Sequence, residues 1–334
     1  MPMLASVVIP TRNRPTYVYE AVESIFVGQH TDFQVFVVDQ STDGQTEAAL
    51  DRFRPDSRFR YIRNSKPNVG ASSSRNIGIA LSTGEIVANI DDDVVARPNF
   101  LSTLTSLFES DPALGFVIGR LAAPDYDRTK GMVPEFCPDP SISAWRLPIT
   151  SAGANYCMRR TVFDKIGGYD ECWGPGSKLG VSDDADICFR IIRSGFKWAL
   201  SVESEVVHVH GFRDNEAAAR LIETYEYGNG AVFGRFMRRG DLAAGLWYLI
   251  RDVRPLAGAV VRLIRDRDAR HFCYIGCRMR GFRRGFFLPP NDKFITPADL
   301  DSIRRQYAVG AGVLAFRSPS GQGQNETEKQ KLTL

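Results

Sequence analysis

The segment GEIVANIDDD, residues 84–93, decides the fold, because a short apolar run leads directly into three carboxylates. The near-continuous apolar positions of Glu85–Ile90 are typical of a strand that is buried on both faces of a parallel sheet. Three similar runs precede it, and each is followed by polar residues: Leu4–Ile9, Gln34–Val38 and Arg58–Ile62. The sequence therefore predicts a parallel sheet whose polar strand ends form a binding crevice.

Segments with helical spacing separate the predicted strands. Tyr17–Phe26 and Phe100–Phe108 each carry an apolar stripe, and a helix is predicted to begin at Asp183 and to end at Gly195. Alternation of strands and helices indicates an α/β fold with a mostly parallel central sheet. A Pro-rich stretch from Pro124 to Pro148 is predicted to be a long loop, and two short strands are predicted near Trp198–Leu200 and Glu205–Val209.

The composition excludes several classes of protein. A chain of 334 residues that is 43% hydrophobic and 24% charged is unlike a disordered or fibrous protein. A net charge of +3 is too small to indicate a nucleic-acid partner. The six cysteines show no CxxC spacing, so we expect reduced thiols. Because no signal-peptide pattern or apolar run of roughly 18 residues is present, we expect a cytoplasmic protein.

The acidic cluster Asp91, Asp92 and Asp93 predicts a cation site. Adjacent carboxylates repel one another, and Mg²⁺ or Mn²⁺ prefers hard oxygen ligands together with substrate phosphates. A solvated acidic turn is the alternative, but the position at a strand end favours the metal. Among the other polar strand ends, Arg75 is suited to bind phosphate, Gly70 to let the backbone approach it, and Asp39 to accept a hydrogen bond from a base or ribose.

A second carboxylate pair, Asp183 and Asp184, opens the predicted helix. Carboxylates at a helix start often serve only as caps, but a rigid helix start can also hold a general base near an acceptor hydroxyl. His208 and His210 alternate along a predicted strand, so we expect them to share one face as metal ligands or as structural polar groups.

Several stretches in a fixed order resemble family 2 of the inverting glycosyltransferases, which have the GT-A, Rossmann-like nucleotide-diphosphosugar fold. The resemblance covers about residues 4–212 and rests on SVVIPTRNR, VFVVDQSTDG, NVGASSSRNIGIALSTGEIVANIDDD, ANYCMRRTVFDKIGGYDE, GPGSKLGVSDDADICFRIIRSG and VVHVHG. It implies transfer of a sugar from a nucleotide-diphosphosugar to a carbohydrate or lipid-linked acceptor hydroxyl, with inversion and with Mn²⁺ or Mg²⁺, in polysaccharide, glycolipid or cell-envelope glycan synthesis.

The resemblance also implies residue roles. Asp184 is the expected catalytic base, although many members have Glu-Asp at this point, so Asp183 stays open as well. The expected metal ligands are Asp91, Asp93 and His208, the outer two carboxylates forming a DxD motif. The expected donor-binding residues are Pro10, Thr11, Arg14, Asp39, Ser41, Asn68, Gly70, Arg75, Asn76, Asp91 and Asp92. A loop for donor or acceptor is expected at Gly153, Ala154 and Asn155.

The domain prediction is a GT-A catalytic domain at 1–212, a helical region at 213–317 and a disordered tail at 318–334. Residues 211–290 hold 15 arginines and no lysine against 8 acidic residues. Such helices can lie on an anionic membrane, which predicts peripheral contact through residues 213–290 at the inner face of the membrane; a helical cap on the catalytic domain is the alternative.

Three other classes of function compete with the transferase. A nucleotidyltransferase would carry a Gly-rich basic loop after the first strand, where this chain has Pro10–Asn13. A dinucleotide-dependent oxidoreductase would carry GxGxxG at the same place. A sugar-nucleotide-binding module without turnover would lack a metal or base residue, and all of them are present.

Overall fold

The computed structural model describes residues 3–64, 70–177, 179–251, 260–261, 263–265, 267, 269–288 and 295–310. Its centre is a mixed sheet of eight strands. These are β1 (Ala5–Thr11), β2 (Phe33–Asp39), β3 (Phe59–Arg63), β4 (Ile86–Ile90), β5 (Val95–Ala96), β6 (Leu114–Ala122), β8 (Asn155–Arg159) and β9 (Lys197–Val207). A separate antiparallel pair is formed by β7 (Gly131–Met132) and β10 (Arg213–Asp214).

The strand order is β3-β2-β1-β4-β8-β6-β9-β5, and six of the eight strands run in the same direction. β8 is antiparallel to both of its neighbours, and β5 is antiparallel to β9. Thr11 at the end of β1 pairs with Asp39 at the end of β2, and Val8 pairs with Asn89 in β4. The polar residues that follow β1, β2 and β4 therefore lie at one edge of the sheet, which confirms the predicted fold class.

Helices cover the sheet and continue beyond it. They are α1 (Pro15–Phe26), α2 (Gln45–Ala49), α3 (Gly70–Leu81), α4 (Phe100–Ser110), α5 (Leu147–Thr150), α6 (Arg160–Ile166), α7 (Asp183–Arg193), α8 (Asn215–Arg238), α9 (Leu242–Ile250), α10 (Arg270–Phe286) and α11 (Pro297–Gly310). Proline in the first turn sets the start of α1, and Asp214 caps α8 by accepting a hydrogen bond from the N–H of Ala217. The stripes predicted on α1 and α4 face the core.

Three local predictions were wrong or incomplete. The two strands predicted near Trp198–Leu200 and Glu205–Val209 form the single strand β9, which stays paired with β6 across a register shift. Arg75, predicted among the polar strand ends, lies within α3. β6 was missed because Gly115 and Gly119 interrupt its apolar pattern. The structure requires the second glycine, because a side chain on Gly119 would overlap the amide of Asn155.

The C-terminal helices share a hydrophobic core with the sheet domain. Trp173 and Phe189 pack in one buried cluster with Phe233 of α8 and Tyr248 of α9. Arg235 of α8 makes a buried ion pair with Asp170 at 2.9 Å. The segments on the two sides of the boundary predicted at residue 212 therefore bury side chains against one another. The tail predicted at 318–334 lies outside the described residues.

α8 and α10 cross with their backbones in contact. A side chain on Gly281 would overlap the carbonyl oxygen of Tyr227, and one on Gly285 would overlap that of Ala231. α11 returns to the sheet domain, where Arg304 donates to the carbonyl of Ala80 in α3 at 2.6 Å. Across the described ranges, no helix has the length and apolar character needed to span a membrane.

Candidate active site

A cavity of about 290 Å³ opens beside the carboxyl end of β4. Asp91 and Arg75 lie on one side of it, and the start of α7 lies on another. The remaining walls come from β6, the region of β7, the segment before β8, the segment between α6 and α7, the turn after β9 and helix α8: Leu121, Met132, Pro134, Glu135, Pro148, Ile149, Thr150, Ser151, Ala152, Gly153, Ala154, Tyr169, Pro175, His208, Tyr225 and Asn229. The cavity therefore joins the two acidic clusters that the sequence singled out.

Arg75 connects the two acidic clusters. Its Nη2 donates to Asp91 Oδ1 at 2.6 Å, and its Nη1 donates to Asp183 Oδ2 at 2.5 Å. The guanidinium side chain is only 7% exposed, so its ion pair with the buried Asp183 is shielded from water, while the Asp91 side chain stays 35% exposed. Ser72 adds a hydrogen bond to the same Asp183 oxygen at 3.3 Å. Arg75 was expected to meet phosphate, and in the structure it holds the two carboxylates at a fixed separation.

Asp184 is the carboxylate of the second pair that has no cationic partner among the described residues. Its Oδ2 accepts from the N–H of Gly153 at 3.2 Å, and its Oδ1 accepts from the N–H of Ala185 at 2.8 Å. Burial, with the charge of Asp183 next in importance, raises the pKa of Asp184 to about 7. Asp184 lines the cavity and titrates near neutral pH, which are the properties of a general base.

The middle carboxylate of the first cluster, Asp92, is held by residues of β1 and of the turn that leads into α1. Asp92 accepts from Thr11 Oγ1 at 2.7 Å and from Arg14 Nη1 at 2.9 Å. Burial raises its pKa to about 6. Arg14 also reaches Asp93 Oδ2 at 3.3 Å. Asp92 does not line the cavity, so the structure gives it a supporting position that links β1 and α1 to the acidic turn.

The two histidines after β9 do not share a face. His208 is buried with Nε2 3.4 Å from Asp93 Oδ2, and its Nδ1 lies 3.0 Å from the carbonyl oxygen of Pro134. His210 instead stacks on Tyr17 with ring centroids 3.8 Å apart and bonds to Glu20. The chain leaves β9 at Val207, which ends the alternation that the prediction assumed. Only His208 lines the cavity.

The donor groups of Asp91, Asp93 and His208 fit a divalent cation. An Nδ1–H that donates to Pro134 leaves the Nε2 lone pair of His208 directed toward Asp93, which is the usual arrangement of a ligating histidine. Five carboxylates gather here against the guanidinium groups of Arg14 and Arg75. Within the described ranges, these groups do not form a complete three-ligand cluster. The set suits a cation that fills its shell with diphosphate oxygens.

The residues at the ends of β1 and β2 that were expected to bind a nucleotide do not line the cavity. Asp39 is fully buried, with Oδ1 accepting from Ser41 at 2.5 Å and Oδ2 accepting from Tyr61 at 2.8 Å. Pro10 and Thr11 are buried at the end of β1. The Ser41 hydroxyl accepts from the N–H of Asn13, so these residues form one bonded turn between β1 and β2.

Three further candidates have supporting contacts. Asn76 is fully buried, and its side chain bonds both the carbonyl and the N–H of Tyr169 at 2.9 and 2.8 Å. The Asn155 amide donates to the carbonyl oxygens of Arg120 and Ser204, which places it in the sheet. Gly70 begins α3 with a φ of 74°, a value that favours glycine. None of the three lines the cavity, and Asn68 lies outside the described residues.

Sequence reasoning missed several cavity residues. The guanidinium of Arg75 lies over the ring of Tyr169, with its Cζ 5.4 Å from the ring centroid. The buried hydroxyl of Tyr169 has no hydrogen-bond partner among the described residues. Tyr225 and Asn229 reach the cavity from α8. Tyr169 stands in the quoted stretch IGGYDE and could have been noticed there. Tyr225 and Asn229 carry no local signal, because both read as ordinary surface positions of a helix.

A GT-A-type sheet with an acidic turn after β4, facing a carboxylate pair across a cavity, defines the class of protein as a glycosyltransferase. Residues 6–169 match the family model of glycosyl transferase family 2. Over that segment, which is just under half of the chain, the protein is similar to that family. The matched segment holds the first acidic cluster and Arg75, while Asp184, His208 and the helices α8 to α11 follow it.

Relatives with assigned activities agree with this class. The chain is 29% identical over 223 residues to the glucosyl-dolichyl phosphate glucuronosyltransferase of Haloferax volcanii, an alignment that covers 62% of this chain and 69% of that protein. It is 31% identical over 105 residues to the GalNAc(5)-diNAcBac-PP-undecaprenol beta-1,3-glucosyltransferase of Campylobacter jejuni, covering 31% and 34% of the two chains. The chain therefore spans about two thirds of the first relative and about a third of the second.

Solved structures show the same fold. The mannosyltransferase PcManGT from Pyrobaculum calidifontis, in complex with GDP-Man and Mn²⁺, superposes with a TM-score of 0.59 at 17% identity, over 86% of this chain and 87% of that one. The S. aureus TarS 1-349 fragment superposes with a TM-score of 0.52 at 14% identity, over 92% of both chains. At these identities the likeness establishes the GT-A architecture, and the chemistry has to be argued from the site.

Proposed function

We propose that this protein transfers a sugar, with inversion, from a nucleotide-diphosphosugar to an acceptor hydroxyl. The acceptor oxygen attacks the anomeric carbon from the face opposite the diphosphate. Its bond to that carbon forms as the carbon–oxygen bond to the diphosphate breaks, and the bonding electrons leave with the diphosphate. The acceptor proton passes to a carboxylate of the protein.

We assign that carboxylate to Asp184. The observation that carries the assignment is the difference in contacts within the pair. Both carboxylates line the cavity, but Asp183 is bound to Arg75 and Ser72, whereas among the described residues the Asp184 side chain accepts hydrogen bonds from backbone N–H groups alone. A carboxylate neutralised by a guanidinium is a weak base, so Asp183 is the positioning member of the pair.

The proposed metal ligands are Asp91 and Asp93, the outer carboxylates of the DxD motif, together with His208. A bound Mn²⁺ or Mg²⁺ would supply positive charge that stabilises the departing diphosphate. The residues themselves hold the site in shape: Arg75 fixes Asp91 and Arg14 fixes Asp93. We also propose that the nucleotide-sugar donor is bound on the side of the site formed by Pro10, Thr11, Arg14, Asp39, Ser41, Gly70 and Arg75.

The proposed acceptor is lipid-linked, as part of glycan or glycolipid synthesis. Two relatives support this, because their names specify dolichyl phosphate and undecaprenol substrates. A surface on α9 supports it as well: Leu242, Leu246 and Ile250 follow one another at four-residue spacing and are 62%, 56% and 55% exposed. With the surplus of arginines in residues 211–290, this stripe suits peripheral contact with an anionic membrane.

The membrane contact has a direct test that leaves the fold intact. Replacing Leu242, Leu246 and Ile250 together by glutamate should abolish cosedimentation with vesicles that contain anionic lipid at low salt. Removing the whole region would be a poor test, because α8 and α9 share a core with the sheet domain. Val27→Glu is the matched control, since Val27 is 68% exposed at the end of α1. Wild-type protein that stays in the supernatant with anionic vesicles would contradict the membrane contact.

The proposed reaction is tested with a panel of nucleotide sugars and Mn²⁺. A true donor should raise the melting temperature, since a ligand at 100 times its Kd stabilises by roughly 2.7 kcal/mol. Without an acceptor, the enzyme should slowly hydrolyse this donor and release nucleoside diphosphate, and Asp93→Ala should abolish this release. Release of pyrophosphate would indicate a nucleotidyltransferase instead. Binding without any turnover would indicate a non-catalytic module.

A further inference from the structure

Helix α8 forms one wall of the cavity, although it lies outside the segment that the family model matches. Tyr225 and Asn229 stand one helical turn apart, so they point from the same face of α8. Both line the cavity together with Asp184. The acceptor has to place its hydroxyl beside Asp184, so the α8 wall lies where an acceptor would pass.

A glycine contact fixes α8 against the start of α7. A side chain on Gly228 would overlap the hydroxyl of Ser182, the residue that precedes Asp183. Ser182 has a φ of 86°, in the left-handed region, and is buried. Because Gly228 allows this approach, the distance between the α8 wall and Asp184 is set by direct packing rather than by a free loop.

The chemistry of this wall suits a neutral ligand that carries hydroxyl groups. Tyr225 is 39% exposed, which leaves an aromatic surface open beside the acidic clusters. Asn229 contributes an amide that can both donate and accept hydrogen bonds. Among the described residues that line the cavity, Arg75 and His208 are the basic ones. The two terminal nitrogens of Arg75 are bound to Asp91 and Asp183, and Nε2 of His208 lies 3.4 Å from Asp93 Oδ2. The basic groups of the cavity are thus engaged by carboxylates, and the α8 wall itself presents the uncharged side chains of Tyr225 and Asn229.

We propose that Tyr225 and Asn229 bind the neutral terminal sugar of the acceptor and so determine acceptor specificity. This inference rests on the proposed glycosyl transfer. Aromatic faces stack on the apolar face of a pyranose, and an amide bonds its hydroxyls, which together orient one hydroxyl toward Asp184. A charged phosphate or diphosphate of a lipid-linked acceptor would lie outside the cavity, away from the carboxylates.

Kinetics with simple glycosides test the inference. Octyl glucoside, octyl galactoside and octyl mannoside serve as acceptors with the donor that the nucleotide-sugar panel identifies. For the best glycoside, Tyr225→Ala should raise the acceptor KM about tenfold and Asn229→Ala about fivefold, while the donor KM changes less than twofold. Tyr225→Phe should keep most of the affinity if the ring face makes the contact. Thr224→Ala, an exposed neighbour on α8 that does not line the cavity, should behave as wild type.

The outcomes separate this inference from the proposed function. A wild-type enzyme that hydrolyses no nucleotide sugar overturns the proposed function itself. A wild-type enzyme that hydrolyses a donor but binds none of the glycosides, measured by saturation-transfer NMR, overturns only the inference that the α8 wall binds the acceptor sugar. Unchanged acceptor KM in both alanine variants also overturns it, as does an equal rise in the donor and acceptor KM.

Discussion

The N–H of Gly153 donates to Oδ2 of Asp184 at 3.2 Å, and a Cβ at Gly153 would lie 2.6 Å from the Cβ of Asp184. The segment before β8 is therefore pressed against the start of α7. A hydrogen bond from this direction stabilises the ionised carboxylate and fixes its orientation. The position of the proposed base thus depends on a glycine that is far from it in sequence.

Gly153→Ala should lower kcat by about tenfold to a hundredfold, because a displacement of roughly 1 Å at a reacting group can cost that much. The same overlap should lower the melting temperature modestly, because the start of α7 has to shift. Gly44→Ala is the matched control, because a Cβ there meets nothing within 4 Å. Equal kcat in the two variants would show that the Gly153 contact does not position Asp184.

The pKa of Asp184 predicts the pH dependence of the reaction. Burial raises this pKa to about 7, so the carboxyl group gains a proton, and loses its capacity as a base, when the pH falls below that value. We expect kcat/KM to rise with pH through neutrality and to level off above it. The measurement is kcat/KM from about pH 5 to pH 9 with saturating Mn²⁺. A rate that is flat across this range would argue against a base that titrates near neutrality.

The two histidines should differ in metal dependence. His208→Ala removes the imidazole beside Asp93 and should raise the Mn²⁺ concentration for half-maximal activity by about tenfold to a hundredfold. His210→Ala removes a ring that stacks on Tyr17, so it should lower stability and leave the Mn²⁺ requirement unchanged. Titration of activity with Mn²⁺ distinguishes them. The reverse pattern would place the metal at His210.

The crossing of α8 and α10 should depend on glycine. Gly281→Ala should destabilise the protein by about 1 to 3 kcal/mol, because the added methyl group overlaps the carbonyl oxygen of Tyr227. Gly276→Ala on the same helix meets nothing within 4 Å and should stabilise by about 0.5 to 1 kcal/mol through helix propensity. Thermal or urea unfolding measures both. Similar stability of the two variants would contradict this helix contact.

The sequence predicted the parts of the fold whose signals are local. Glu85–Ile90 reads as a strand and the following carboxylates as its polar end, and both lie where expected. β9 was divided in two because Ser201–Ser204 looks like a break, whereas the Ser201 hydroxyl accepts from the N–H of Ser204 and the strand continues. A break in pattern and a bulge look the same in sequence.

The site was predictable only where charge was concentrated. Asp91, Asp93 and Asp184 stand out as acidic runs; Asp91 and Asp184 line one cavity, and Asp93 lies beside it through its contact with His208. The role of Arg75 in joining Asp91 to Asp183 depends on tertiary contacts that no spacing records. Tyr225 reaches the cavity because Gly228 lets α8 approach Ser182, which is a property of packing between distant segments.

Asp183→Asn should have the signature of a structural partner. It weakens the buried pair with Arg75, and breaking a buried pair costs about 3 to 5 kcal/mol when one partner is removed. We therefore expect a lower melting temperature and weaker donor binding, together with reduced turnover. Unfolding curves and donor titrations with Mn²⁺ measure these effects. A variant that is fully stable but loses only turnover would make Asp183 the base.

The central claim is tested most directly by Asp184→Asn, measured for kcat and for donor Kd in the presence of Mn²⁺. Asparagine keeps the size of the side chain and removes its basicity, so donor affinity should change less than about twofold while kcat falls by about 10² to 10⁴. Turnover at the wild-type rate in Asp184→Asn, with the donor bound as tightly as before, would contradict the assignment of Asp184 as the catalytic base.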